Sequence, residues 1–483
     1  MQVIQHKSLR WFYGLTAIYM LMAIFSLVNE FYWLLILPAG ILIGYSALYH
    51  LDKLFLFTAF CTPLAINLSK TDLGIGVSLP TEPILFGMML IYLLSKSIDG
   101  RFEKSFIKHP ITILILIHLA WMLITSFTSS MFLVSIKHFV ARLWFVVIGF
   151  MLATSVFKDE KKMRQFIWFY AVGMAITIIY TITRHSINGF TQQSAHWVMT
   201  PFYNDHTEYA AVLALMLPPI FGLMLLKHKS FMYWFFAFLI SGLVIVAIVL
   251  SYTRATWLSL AVALVSMFAY VFRVKTWAVV AIIISMVVGF QIFQSTVLYK
   301  FGKTKEYSQN DYRGHLKSIT NIKTDASNVE RLNRWSCAWR MFLDKPIFGW
   351  GPGTYQFQYS VYQLQFEKTY ISTNLGDKGN AHSEYLGPLS EQGFMGTIIF
   401  VALAVVVLYK ASRVFLQSNS NNIKVLALSM QIGLITYLVH GFLNNFLDKD
   451  KASIPFWAFV AAITAMDYYH NKKQLNPSDE RAQ

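Results

Sequence analysis

Three arginines, a histidine and a run of glycines stand in the polar parts of an otherwise apolar chain. Arg254 lies in Ser251-Tyr-Thr-Arg254-Ala-Thr-Trp-Leu258. Arg331 and Arg334 lie in Asn328-Val-Glu-Arg331-Leu-Asn-Arg334-Trp335. They are followed by Pro346-Ile-Phe-Gly349-Trp-Gly351-Pro-Gly353 and by Ala381-His382-Ser383-Glu384-Tyr385-Leu386. Arginine presents a planar fork that matches phosphate oxygens bidentately and keeps its charge near lipid. Histidine is the side chain best poised to take a proton near neutral pH. Together they suit transfer of a sugar from a phosphate leaving group to a hydroxyl. A polar lead-in, Pro201-Phe-Tyr-Asn204-Asp205-His206-Thr-Glu208-Tyr209, precedes an alanine-rich helix, which either Asn204 or Asp205 is placed to cap.

Each residue alone also has a structural explanation. Arg254 fits an interfacial anchor that snorkels to the headgroups, and Asp205 and Glu208 fit a cap and a first turn answering the helix dipole. A histidine in a polar loop is usually solvated, and a glycine run with no strand before it serves a tight turn more often than a phosphate. Asp448 and Asp450 are spaced for a metal, but such pairs are common in loops. What raises the odds is convergence: separate segments carry the arginines and the histidine, and these meet only if the polar segment folds back over the helix mouths.

The elements that must position them are membrane helices. The chain is 56% hydrophobic and 13% charged, with a mean hydropathy of +0.50, which excludes a soluble protein of this length. Runs near the roughly 20 residues needed to span a bilayer recur about fourteen times. The runs at 53–67 and 83–96 are short, so one pair is a candidate for a re-entrant or broken segment, leaving twelve. The expected fold is an all-α polytopic membrane protein of about 12–14 transmembrane helices. It divides at 1–297 (helices), 298–393 (a long, mainly helical extracytoplasmic insert), 394–470 (helices) and 471–483 (a cytoplasmic tail). No cleavable signal peptide is expected, because the run 11–28 is too long for a signal core and no small-residue cleavage site follows.

Orientation follows the basic residues. One set of alternating loops holds Lys96, Arg101, Lys104 and Lys108, then Lys158, Lys161, Lys162 and Arg164, then Lys227 and Lys229, Arg273 and Lys275, and Lys410, Arg413 and Lys424. The other set is poor in both. N-in and C-in topology is expected, with the 298–393 insert outside the cytoplasm. The net charge of +16 belongs to these short loops and indicates no nucleic-acid partner. Cys61 falls in a membrane segment and Cys337 in the insert, which argues against a disulfide.

With these elements in place, the insert resembles the O-antigen ligase and polymerase superfamily. Arg331 followed by Trp335 and the Pro346–Gly353 run is similar to the family's conserved loop segment. Its signature of His, then Asn, Ser or Gln, nine residues, Gly, two residues and Gly is met by His382, Ser383, Gly393 and Gly396, and its R-x-x-x-L by Arg254 and Leu258. The motifs cover roughly 200–400. The resemblance implies a GT-C-like, metal-independent glycosyltransferase without a cofactor, in the bacterial inner membrane. Its donor would be a glycan on undecaprenyl pyrophosphate, and its acceptor a saccharide on lipid A-core or on a second lipid-linked glycan. Arg254, Arg331 and His382 would be catalytic: the arginines hold the pyrophosphate and the histidine activates or orients the acceptor hydroxyl. Arg334, Asn204, Asp205, His206, Glu384, Gly351 and Gly353 would contact substrate, Arg334 on proximity alone and His206 with no chemical step of its own.

A ligase and a polymerase share the donor, so the donor arginines do not separate them; the His382–Gly396 signature leans towards a ligase. A transporter of lipid-linked saccharide would need basic residues lining the membrane interior and internal repeats, and neither is apparent. The loop charges predict that a reporter active only outside the cytoplasm works when fused near residue 320 and fails near 160 or 415. Activity at 160 would reverse the topology.

Overall fold

The structure is a computed structural model, described for residues 2–30, 37–68, 77–99, 103–227, 230–272, 274, 326–368, 372 and 379–470. The apolar run at 276–295, the first part of the insert and the expected tail lie outside the described residues. The chain divides into two compact units, residues 1–57 and 58–483. The first holds α1 (Gln2–Val28), α2 (Leu37–Tyr49) and the start of α3 (Leu51–Cys61).

In the second unit the run at 53–67 is broken: α3 ends at Cys61, a 3-10 turn covers Thr62–Leu64, and β1 (Ile66–Asn67) pairs antiparallel with β2 (Ser78–Leu79). Then come α4 (Thr81–Asp99), α5 (Lys104–Ile107), α6 (Pro110–Phe127), α7 (Phe132–Val146), a π-helical stretch Val147–Leu152 and α8 (Ala153–Val156). These are followed by α9 (Glu160–Ile187), α10 (Gln192–Ala195), α11 (His206–Met224), α12 (Phe231–Leu250) and α13 (Arg254–Val271). The insert supplies α14 (Ala326–Asp344) and α15 (Tyr355–Gln358). The chain returns through α16 (Leu386–Gln417), α17 (Asn421–His440) and α18 (Asp450–Ala465). Nine helices among the described residues are long and apolar enough to cross a membrane, α7 to α8 counting as one. The protein is an all-α polytopic membrane protein.

The sequence explains which helices lie inside. In α18 every residue from Asp450 to Ala465 is buried, as expected of a helix that beyond its charged first turn is largely apolar on every side. α11 and α17 are mostly buried and pack on each other. Their crossing depends on small residues: a Cβ on Gly433 would lie 2.5 Å from the Leu215 carbonyl oxygen, and one on Gly222 2.7 Å from the Ser429 side chain. Helices in lipid gain no hydrophobic drive from each other, so such close approach supplies the packing. Gly433→Val should therefore force the two helices apart, costing on the order of 1–3 kcal/mol. A lowered unfolding temperature in detergent would register it, and an unchanged one would refute the close crossing.

Candidate active site

At one end of the bundle α11 and α13 begin, α17 ends and the insert returns. Asp205, not Asn204, caps α11: its Oδ1 accepts from the backbone N–H of Thr207 at 2.8 Å and of Glu208 at 2.9 Å, and from the Thr207 hydroxyl. Burial works against the Asp205 carboxylate, but the Lys449 charge and these donors outweigh it and hold its pKa below the usual range. Asn204 sits in the turn ahead of the cap. Glu208, buried in the first turn, accepts from Lys449 Nζ at 2.8 Å. Thr253 donates to the His206 carbonyl at 3.3 Å. That contact seats Arg254, the first residue of α13, beside the start of α11. The His206 ring stands edge-on to His196, with ring centroids 4.2 Å apart and the two Nδ1 atoms 3.1 Å apart.

The insert has its own small core of Cys337, Ala338, Met341, Tyr355, Tyr359 and Ala381. Arg334 belongs to that core. Its Nε donates to Glu330 Oε1 at 3.0 Å, its guanidinium reaches the Asn380 carbonyl at 3.2 Å, and it lies 5.2 Å from the centre of the Tyr359 ring. Arg331, one turn back along α14, is turned towards the helix ends: its charge acts on His382, His206 and His440.

His382 is where the segments meet. It adopts φ +48°, in the left-handed region that a non-glycine residue enters only at a cost. Three contacts hold it there. Its backbone N–H donates to Asn380 Oδ1 at 3.1 Å, its carbonyl accepts from Trp335 Nε1 at 3.5 Å, and the next residue but one, Glu384, donates its N–H to the Gly441 carbonyl at 2.8 Å. The Asn444 side chain lies near enough to the imidazole to favour its charged form. Asn444 Nδ2 in turn lies 3.0 Å from His440 Nε2. Burial first, and the charges of Arg334 and Arg331 after it, push the His382 pKa down to about 3, while Asp205 and Asn444 oppose them. The ring is therefore neutral at physiological pH.

Glu384 is an anchor. Its buried Oε1 accepts from the Tyr437 hydroxyl at 2.7 Å and from the N–H of Phe446 at 2.7 Å and of Leu447 at 2.9 Å. Gly351 and Gly353 lie to one side, against α6 and α7. Cβ atoms there would meet Ser129 Oγ at 1.9 Å and His138 at 3.1 Å, and Ser135 Oγ donates to the Pro352 carbonyl at 2.9 Å. α16 begins at Leu386, ahead of the expected boundary at 393, and bends at Gly393, where φ is +69°. A Cβ on Gly393 would sit 2.0 Å from the Ile347 carbonyl oxygen. The two glycine motifs thus pack on each other, while Arg331, His382, Asp205 and His206 gather beside them.

His440 ends α17 and Asn444 lies in the loop after it, and nothing in their spacing points to His382. Lys449 stands between Asp448 and Asp450, and nothing in that local sequence points to its partner Glu208. Arg142, buried in α7, donates to Asp448 at 2.5 Å, with His138 Nε2 3.5 Å from the same carboxylate oxygen. The signal for that pair was an ionisable residue inside an apolar run. Asp450 pairs with Lys451 at 3.6 Å. Among the described residues no group of three or more His, Cys, Asp or Glu is placed to hold a metal ion.

Fold and site define a polytopic membrane protein with a polar insert folded over its helix ends. Residues 237–401, from within α12 to within α16, match the family described as O-antigen ligase, which supports the O-antigen ligase and polymerase superfamily. No curated protein matches the chain. A histidine with its pKa pushed down to about 3 stays neutral as pH falls from about 8 to about 5. The ¹⁵N signals of His382, assigned by comparison with His382→Gln, should keep their neutral-ring positions across that range. A titration centred near 6.5, the ordinary histidine value, would show that the buried, arginine-flanked setting is wrong.

Proposed function

We propose that the protein transfers a glycan from undecaprenyl pyrophosphate to a saccharide hydroxyl, as an O-antigen ligase acting on lipid A-core. The observation that carries the reading is the gathering of Arg331, the Asp205–His206 lead-in and a neutral, conformationally constrained His382 at helix ends in a chain that matches this family. The acceptor oxygen attacks the anomeric carbon, the bond from that carbon to the pyrophosphate oxygen breaks, and the leaving group takes the electron pair. His382 orients the acceptor hydroxyl or takes its proton, worth roughly 10²–10⁴-fold as general-base catalysis. Arg331 and Arg254 supply the positive charge that the leaving group needs, so the reaction requires no metal. Arg334, held by Glu330, fixes the backbone on which Arg331 and Asn380 are carried. The site faces away from the cytoplasm at the inner membrane, in line with the loop charges. The His382–Gly396 signature favours the ligase over a polymerase that joins lipid-linked repeats.

The test is purified protein with undecaprenyl-pyrophosphate glycan and either acceptor, lipid A-core or a second lipid-linked glycan. Product on the lipid-linked acceptor alone would make the protein a polymerase. Product on neither would remove the transfer reading. With the working acceptor, Arg254→Lys and Arg331→Lys keep the charge but lose the fork, and each should resemble the alanine variant. The expected loss is about 2–4 kcal/mol in the barrier, a hundredfold to thousandfold in rate. Full activity with lysine at both positions would return these residues to the role of interfacial anchors.

A further inference from the structure

The other end of the bundle holds a second polar cavity that glycan transfer does not use. Its volume is about 150 Å³, well above the ~10–15 Å³ that admits a single water. Lys96 and Lys158 line it together with the hydroxyl-bearing Tyr92, Ser155 and Tyr469 and one carboxylate, Glu103. The cavity lies far from the site already described. Glu82, at the start of α4, feels the charge of Asp450, the first residue of α18. Lys96 and Tyr469 stand at or beyond the opposite ends of those two helices. At 1.5 Å per residue a helix the length of α4 puts the two ends about 28 Å apart, close to the thickness of a bilayer's hydrocarbon core.

The lining is built for an anion. Lys96 Nζ lies 5.8 Å from the centre of the Tyr92 ring, and Lys158 Nζ 4.8 Å from that of Tyr469, so each cation stands beside an aromatic wall. Glu103 accepts from Lys158 at 2.7 Å and from the Tyr469 hydroxyl at 3.1 Å. Its pairing with Lys158 is about half exposed on both sides, at 46% and 47%. Exposed pairs of this kind contribute little, so Lys158 can be shared with a stronger acceptor. Asp467, the next carboxylate on the same turn as Tyr469, is already occupied by Lys410 at 2.8 Å and His109 at 3.1 Å. It leaves the two cavity lysines their charge. Basic pockets between membrane helices at the leaflet surface suit phosphate-bearing headgroups.

We propose that this cavity binds a phosphate group, that of an anionic lipid headgroup or of a soluble phosphate, between Lys96 and Lys158. The test is the unfolding temperature of the full-length protein in detergent, titrated with short-chain phosphatidylglycerol, short-chain phosphatidylcholine or inorganic phosphate. Phosphatidylglycerol should raise it and zwitterionic phosphatidylcholine should not. The double variant Lys96→Gln/Lys158→Gln should weaken the apparent affinity by about tenfold or more, as loss of hydrogen bonds to charged groups does. Glu103→Gln, which removes the competing carboxylate, should tighten it. Inorganic phosphate acting as strongly through the same lysines would support the site with a soluble occupant. Stabilisation by none of the ligands, or stabilisation that the lysine variant retains, overturns the proposal. Should the lysine variant fail to fold, Glu103→Gln decides alone: tighter binding supports the site and unchanged binding overturns it.

Discussion

The contact on which the site depends is between two stretches of backbone. Gly393 bends α16 directly against the Pro346 and Ile347 carbonyls, and Phe394 donates its N–H to the Pro346 carbonyl at 3.0 Å. No side chain fits in that gap, and the φ of +69° at Gly393 would strain any other residue. The same approach is repeated at Gly349, where a Cβ would lie 2.3 Å from the Glu391 carbonyl carbon. Two glycine motifs far apart in sequence are therefore halves of one joint. The joint fixes where the insert comes back to the bundle, and so where His382, eleven residues before the bend by the numbering, is delivered.

Once delivered, His382 is held by its neighbours in the insert and in the loop after α17. Glu384 binds the loop after α17 through three hydrogen bonds to one oxygen, and Asn380 and Trp335 fix the peptides on either side of the histidine. A buried carboxylate costs several kcal/mol unless it is this well satisfied. Replacing Glu384 would therefore loosen the loop that carries the histidine.

Much of this was legible in the chain. The alternation of apolar runs and basic loops gave the class of fold, and the spacing of Arg331, the Pro346–Gly353 run and His382–Gly396 marked the segments that meet. What local sequence carries poorly is the partner of each charge. Glu330 and Arg334 stand four residues apart on α14, the spacing of a helix ion pair, and that spacing is a better guide to Arg334 than its nearness to Arg331. Lys449 with Glu208 and Arg142 with Asp448 join residues hundreds of positions apart, and only tertiary packing reveals them. The helix caps lie between these extremes: both Asn204 and Asp205 were suitable, and the start of the helix at His206 chose Asp205.

The electrostatics give the proposed reaction an internal order. Burial and two guanidinium charges hold the His382 pKa down to about 3, so His382 is a weak base. A base this weak takes little of a hydroxyl proton. A pyrophosphate seated against Arg331 would bring negative charge to the same neighbourhood, offset the arginine field and favour the imidazolium. The pKa of His382 would then rise by the share that the arginine charges hold down, burial remaining the larger cause. On the proposed reading, the arginines do two things with one charge: they hold the leaving group, and through its arrival they loosen their own hold on the base. An enzyme arranged this way binds its acceptor beside a histidine that becomes a stronger base when there is a glycan to transfer, and a site without donor has little means of activating the hydroxyl, or a water in its place.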